Sequence, residues 1–427
     1  MAITYSISGG ADAAKFNINA STGALTFKAA PDFEQPGDAN KDNVYEVQVK
    51  ATDAGGAFST QDVRVTVKDV ADTNRPPQIT SAPAISVNEN QTTVMTITAT
   101  DPDDAQQPPG GGTITLTPSG SITVSANNQV IEKKRITGTI MIDHKDGVII
   151  RNCEINHPGG RAITAESCTN LLIEDCKITN TSAPSGQKPN SDDETMSIYL
   201  NQLGPHTIRR VTVEGSGQGI YAYQCNKLIS VSFFEGHKAR GGQGLRGQLW
   251  QFNQCTGGAL CEDFSTENPA NDSWTSDNIN TYTCPAGQYT YRRGLIDGNN
   301  HPAGCGMMFE GTSNALVEDV DCVHMGNGAF AVYSGGSSGG ASQNMTYRRC
   351  NTRDNIATDQ GRGPPESGGS SFNSSPGCVN TRFEQCLYWN VKESVLSWDD
   401  STMTSRDWKK QEFTPRAPIR NKFGWIA

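Results

Sequence analysis

A short apolar motif returns again and again along the C-terminal three hundred or so residues, and nothing else in the chain limits its fold as strongly. The copies are GVIIRNCEI (147–155), NLLIEDCKI (170–178), HTIRRVTVEG (206–215), KLISVSFFEG (227–236), QLWQFNQCTG (248–257), ALVEDVDCV (315–323), NMTYRRCNT (344–352) and NTRFEQCLY (380–388). Cys153 to Cys176 is a step of 23 residues, and Gly215 to Gly236 and Gly236 to Gly257 are steps of 21. Later steps lengthen to 28 (Cys322 to Cys350) and 36 (Cys350 to Cys386), which places inserted loops between equivalent strands. A period of about 20–25 residues, carried by short β-rich runs with no helical pattern, belongs to a solenoid. Each coil of a solenoid buries its alternate side chains only by stacking on the next.

Composition agrees. Glycine (44) and proline (21) are abundant and charged residues make up 19% of the chain, which suits short strands and turns rather than long amphipathic helices. A net charge of −10 repels a phosphate backbone, so nucleic acid is not an expected partner. No apolar run reaches membrane-spanning length. The N-terminus lacks the basic and apolar regions of a secretory leader, while twelve cysteines suit either an oxidising exterior or a set of small buried side chains. An exterior protein without a leader is expected to be a virion component released by lysis or the cargo of a leaderless secretion route.

The rungs resemble those of right-handed parallel β-helix proteins, whose bacterial and phage members carry an N-v-x-I-x-x-C-x-I coil. The resemblance covers 111–405, bounded by QQPPGGG (106–112), and leaves 406–427, which has no rung pattern, as a C-terminal cap or docking tail. Cys153, Cys176, Cys255, Cys322, Cys350 and Cys386 share a rung position and are expected to stack as free thiols at the ~4.8 Å coil spacing. Cys168, Cys225, Cys261, Cys284, Cys305 and Cys378 fall off that register. Any disulfide is expected among these, with Cys284–Cys305 the favoured pair.

Ahead of the solenoid, TYSISGG, KFNINASTGALTF, YEVQVKATDAGG and DVRVTVKDV alternate with period two, as half-buried antiparallel strands do. Phe16-Asn17-Ile18, Thr22-Gly23-Ala24-Leu25, Asp32-Phe33-Glu34, Ala51-Thr52-Asp53 and the run from Asp69 to Pro77 resemble strands C to G of a bacterial-type cadherin repeat. The elements that open such a repeat come afterwards, as SVNEN (86–90) and TITATDPDDAQ (96–106). Residues 1–77 therefore read as strands C–G, and 78–110 as an A–B segment with a linker. The A–B segment can fold back within the chain, complete a neighbouring copy by strand exchange, or cap the solenoid as a partial module. The resemblance implies structural calcium held by Asp32, Glu34, Asp69, Asp72, Asn74, Glu89, Asp101 and Asp103, all hard oxygen ligands. Ala71 and Arg75 depart from the family's linker pattern, and a solvated acidic face is the alternative.

The whole is thus all-β: a cadherin-like (Ig-like) β-sandwich module followed by a right-handed parallel β-helix. β-helix enzymes cleave acidic polysaccharides, and a lyase of this kind needs a base and a cation facing the uronate carboxylate. His237, Lys238 and Arg240 in GHKARGGQGLRG (236–247) are the candidates; SDDE (191–194) and SWDDS (397–401) are acidic ones. The carboxylates do not fall in the order that the β-helix hydrolases require. For binding, Trp250, Trp274 and Trp398 are expected to stack on sugar faces, with the long insertions at 181–205, 264–288 and 355–378 as a recognition surface. The reading these features favour is an exterior structural and adhesive protein. It would be a fibre, tailspike-like or decoration component of a virion surface that binds glycans or other copies of itself. A secreted polysaccharide lyase or hydrolase and a leaderless bacterial adhesin are the alternatives.

Overall fold

The computed structural model describes residues 3–28, 31, 36–67, 78–79, 99–100, 114–182, 195–240, 247–269, 273, 275–299, 304–326, 328–335, 340–355, 370–391, 396–397 and 400–425. The chain divides into two compact units, Met1–Gln107 and Pro108–Ala427. Among the described residues no helix is long and apolar enough to cross a membrane.

In the first unit, strands Thr4–Gly9, Val44–Thr52 and Phe58–Thr66 form an antiparallel sheet in that order, beside a hairpin of Phe16–Ile18 and Leu25–Phe27. Alternate residues of Val44–Thr52 turn inward, so Tyr45 and Val47 are buried with Phe16. Phe27 stacks on Phe16 with ring centroids 4.6 Å apart. Ala99–Thr100 pairs antiparallel with Gln78–Ile79, inside the 78–110 segment and not with a strand of residues 4–66. The rest of 84–106 lies outside the described residues, as do all eight expected calcium ligands, Asp32, Glu34, Asp69, Asp72, Asn74, Glu89, Asp101 and Asp103.

The second unit is a parallel β-helix. Among the described residues, a long sheet of 14 strands and a short sheet of 10 run side by side, and neighbours in each are parallel strands from successive coils. Strands of the long sheet are creased by one residue in the left-handed region. These residues are Asn152, Asp175, Arg210, Phe233, Asp263, Arg293, Asp319, Arg349 and Gln385, with φ between 50° and 58°. Only Asn and Asp tolerate that conformation readily, so at Arg210, Phe233 and Arg293 the packing of adjacent coils imposes it. The crease advances by 23 residues from Asn152 to Asp175 and by 36 from Arg349 to Gln385.

Two rung assignments need correction. QLWQFNQCTG lies on the short sheet, as strand Gln248–Asn253, and the long-sheet strand of that coil is Ala259–Glu267. Tyr289–Asn299 is a further long-sheet strand. Gly236 stands opposite Val213, not Gly215, so the 21-residue glycine steps are not coil steps. Both strands of a coil alternate with the same period, and local pattern does not distinguish them.

All twelve cysteines are free and buried, and Cys284 and Cys305 form no bridge. Cys284 lines the interior, whereas Cys305 packs with Met308 and Ala331 in a separate cluster. The thiols make two ladders rather than one. Cys153 stands beside Cys176, and Cys350 and Cys386 occupy the same column further on. Cys225, Cys255 and Cys284 stack at another corner, each S–H directed at a carbonyl of the preceding coil, Leu200, Ala222 and Phe252 respectively. Cys255 belongs to this second ladder. Val320 holds the first-ladder position in the coil of Cys322.

The early coils are filled by Ile, Val and Cys, the later ones by rings. Trp250 is 0% exposed and packs against Phe234, Phe252, Phe264 and Tyr291 at centroid distances of 4.9–6.3 Å. Trp408, on the last paired strand Met403–Lys410, stacks on Phe372 at 5.0 Å and closes this interior. Beyond it, residues 411–425 run back along the outside of the same solenoid, from Tyr388 to Ile114.

Candidate functional site

The three expected basic residues have different surroundings. His237 ends strand Ile229–His237 on the outer side, with Nε2 2.8 Å from Glu235 Oε1 and Nδ1 3.6 Å from Glu267 Oε2. Lys238 occupies a left-handed bend (φ 53°) with Nζ 3.4 Å from Glu214. Arg240 is buried, and its backbone N–H donates to the Ser216 carbonyl at 3.0 Å. Burial alone would raise the Glu235 pKa. His237, the Asn421 N–H and the Thr212 hydroxyl outweigh it and hold this carboxyl below the usual range. The His237 and Lys238 side chains thus already face carboxylates of their own chain, where a lyase would need them to face a substrate.

Trp250 cannot stack on a sugar, because it is wholly inside the core. Trp274, Trp398 and 191–194 lie outside the described residues. Asp400 is paired with Arg406 at 3.0 Å. Among the described residues no three His, Cys, Asp or Glu side chains are placed to hold a metal ion.

The outer face of the short sheet is a different matter. In its strands Ile163, Ile198, Ile220 and Trp250 point inward, so alternation turns the next residues outward. One outward column runs Thr164, Tyr199, Tyr221, Gln251, and the next runs Glu166, Asn201, Tyr223, Asn253, Tyr282, Glu310. The Tyr199 and Tyr221 rings stack at 5.9 Å and 8°. The Arg161 guanidinium lies 3.6 Å over Tyr199. Asn253 Nδ2 donates to the Tyr221 hydroxyl at 2.8 Å, and Asn201 Nδ2 to Glu166 Oε2 at 2.5 Å. Burial raises the pKa of both Tyr199 and Tyr221, against the opposing effect of Arg161 on the former and of Asn253 on the latter, so both keep their protons as donors. Thr164, Tyr199 and Gln251 are themselves buried, at 5%, 7% and 8% exposed. The accessible part of this face is therefore Tyr221, Tyr223, Asn201, Asn253, Glu166 and Arg161. Their phenol edges, amides, guanidinium and carboxylate can meet both the apolar C–H faces and the hydroxyls of a polyol.

The sequence signal for this face is the set IYLNQ (198–202), IYAYQ (220–224) and WQFNQ (250–254). Their shared alternation marks them as equivalent strands, but only pairing shows that the Tyr and Asn side chains fall into line.

No protein-family model and no curated protein matches the chain. Among solved structures, the Yersinia enterocolitica family 28 exopolygalacturonase aligns over 92% of this chain and 83% of its own, with 12% identity and a TM-score of 0.32. At that score neither fold nor chemistry is carried across.

Proposed function

We propose that the chain is an exterior glycan-binding protein and that the outer face of its short sheet is the contact surface. The observation that carries this reading is the partly exposed set Tyr221, Tyr223, Asn201, Asn253, Glu166 and Arg161, with Tyr221 stacked on the buried Tyr199. Coils repeat every ~4.8 Å, the scale on which a pyranose chain repeats. A polysaccharide lying along the solenoid therefore meets a polar and aromatic set at each step. Arg161 Nη1 lies 3.8 Å from Glu166 Oε1, a long contact that an acidic sugar would replace with the fixed fork geometry of a guanidinium–carboxylate pair. A virion surface and a secreted adhesin would present this face to a host or neighbour glycan in the same way.

Calorimetric titration of the full chain with acidic polysaccharides tests the reading. Tyr221→Ala and Arg161→Ala should each weaken binding about tenfold, the effect of losing about 1.4 kcal/mol of contact. Undiminished binding by both variants, with unchanged circular dichroism, would discard the short-sheet face.

A further inference from the structure

The long sheet carries a second outward column, on the strands after the crease. It runs Thr212, Glu235, Ser265, Leu295, Asp321 on consecutive coils. We infer that this column is a receptor groove for an extended, arginine-bearing peptide, and that the chain's own residues 411–425 fill it.

The contacts are regular. Backbone N–H groups of the tail donate to side chains of the column: Arg416 to Asp321 Oδ2 at 2.8 Å, Ile419 to Ser265 Oγ at 2.9 Å and Asn421 to Glu235 Oε2 at 3.0 Å. Asn421 Nδ2 reaches Thr212 Oγ1 at 3.2 Å and the Phe233 carbonyl at 2.9 Å. Two guanidiniums clamp the run. Arg416 meets Asp319 at 3.1 Å, and Arg420 meets Glu235 at 3.3 Å and Glu267 at 2.5 Å.

Spacing explains the fit. Asp321 and Ser265 are two coils apart, ~10 Å at the usual interstrand distance, and the three residues from Arg416 to Ile419 span ~10 Å when extended. Pro415 and Pro418 have no N–H, so the tail cannot extend the sheet by a backbone ladder, and the recognition passes to side chains. The arginines are 38% and 52% exposed. The contact therefore has the polar, accessible character of a reversible interface rather than of a core. His237 shares both carboxylates with Arg420, at 2.8 Å from Glu235 Oε1 and 3.6 Å from Glu267 Oε2, and Lys238 meets Glu214 beside them. A tail released from its own groove can be replaced by that of a second copy, which is the partner whose chemistry matches residue for residue.

The full-length double variant Arg416→Glu/Arg420→Glu tests this. Amide hydrogen exchange at 416–421 should accelerate at least tenfold over the wild type. A labelled peptide of residues 411–427 should then bind the variant saturably at low salt, fail to bind the wild type, and lose binding when Glu235→Gln and Glu267→Gln are added. Unchanged exchange in the double variant overturns the clamp. A released tail without peptide binding overturns the groove. If the double variant does not fold, as judged by circular dichroism, Arg420→Gln is read by the same exchange and peptide measurements.

Discussion

His206 stands in a column that neighbouring coils fill with Leu171 and Ile229, and it is 1% exposed. Burial pushes its pKa down to about 4, against a weaker opposing contact with the Gln202 backbone. The unfolded chain, near 6.5, then binds a proton that the folded chain refuses. Stability is full above pH 6.5 and falls as pH drops toward 4, by on the order of 2–3 kcal/mol over that window. Urea titrations at pH 7 and pH 4.5 should show this fall, and His206→Leu, which suits the aliphatic column, should remove most of it. An identical pH dependence in the variant would assign the fall to other groups. Gly294 shows the opposite economy of space: a Cβ there would strike the Phe264 ring of the preceding coil, so an aromatic core position requires a glycine above it.

At the scale of the element, the creased strands carry alternating charge. Glu174-Asp175 lies under Arg209-Arg210, Glu262-Asp263 under Arg292-Arg293, and Glu318-Asp319 under Arg348-Arg349. Arg210 Nε is 2.6 Å from Asp175 Oδ1, and Arg293 Nε is 2.7 Å from Asp263 Oδ1. Apolar alternation is the same in every coil and cannot say which coil belongs next to which, whereas a slip would bring like charges together. Asp175, with a side chain 6% exposed, makes the pair worth testing. Asp175→Arg should cost about 2–4 kcal/mol in urea unfolding, since it buries an unpaired charge beside a like one. The exchange Asp175→Arg/Arg210→Asp should recover more than half of that loss. A double variant no better than the sum of the singles would mean that the ladder does not set the register.

For the whole molecule, stability comes from neighbouring coils stacked in one direction, without covalent ties. The two thiol ladders face the interior, and burial raises the pKa values of their members Cys176, Cys284 and Cys350. A buried, protonated thiol is neither nucleophilic nor easily oxidised. Reductant should therefore leave the melting temperature and electrophoretic mobility unchanged, and a thiol reagent should titrate all twelve groups only after unfolding. A mobility shift on reduction would restore the expected disulfide. The tail adds a different kind of tie, since it joins the last coil to the first through polar contacts that salt weakens.

The interior of each coil was legible in the sequence. Ile150, Cys153, Ile155, Ile173, Cys176 and Ile178 are all fully buried, as the recurring motif requires. Alternation, broken once per long-sheet strand by the crease, is a local property, so it is written directly into the chain. Neighbourhood between coils is not local. It depends on loops that stretch the coil from 23 residues to 36, and no short pattern records that sum. Hence the sequence left Trp250 as a surface candidate when it belongs to the core, put Cys255 and Cys322 in a ladder they do not belong to, and placed QLWQFNQCTG on the wrong sheet. The Tyr–Asn face, the alternating charge ladder and the groove under the tail exist only once residues dozens of positions apart are stacked ~4.8 Å from one another, and that stacking is what the tertiary structure decided.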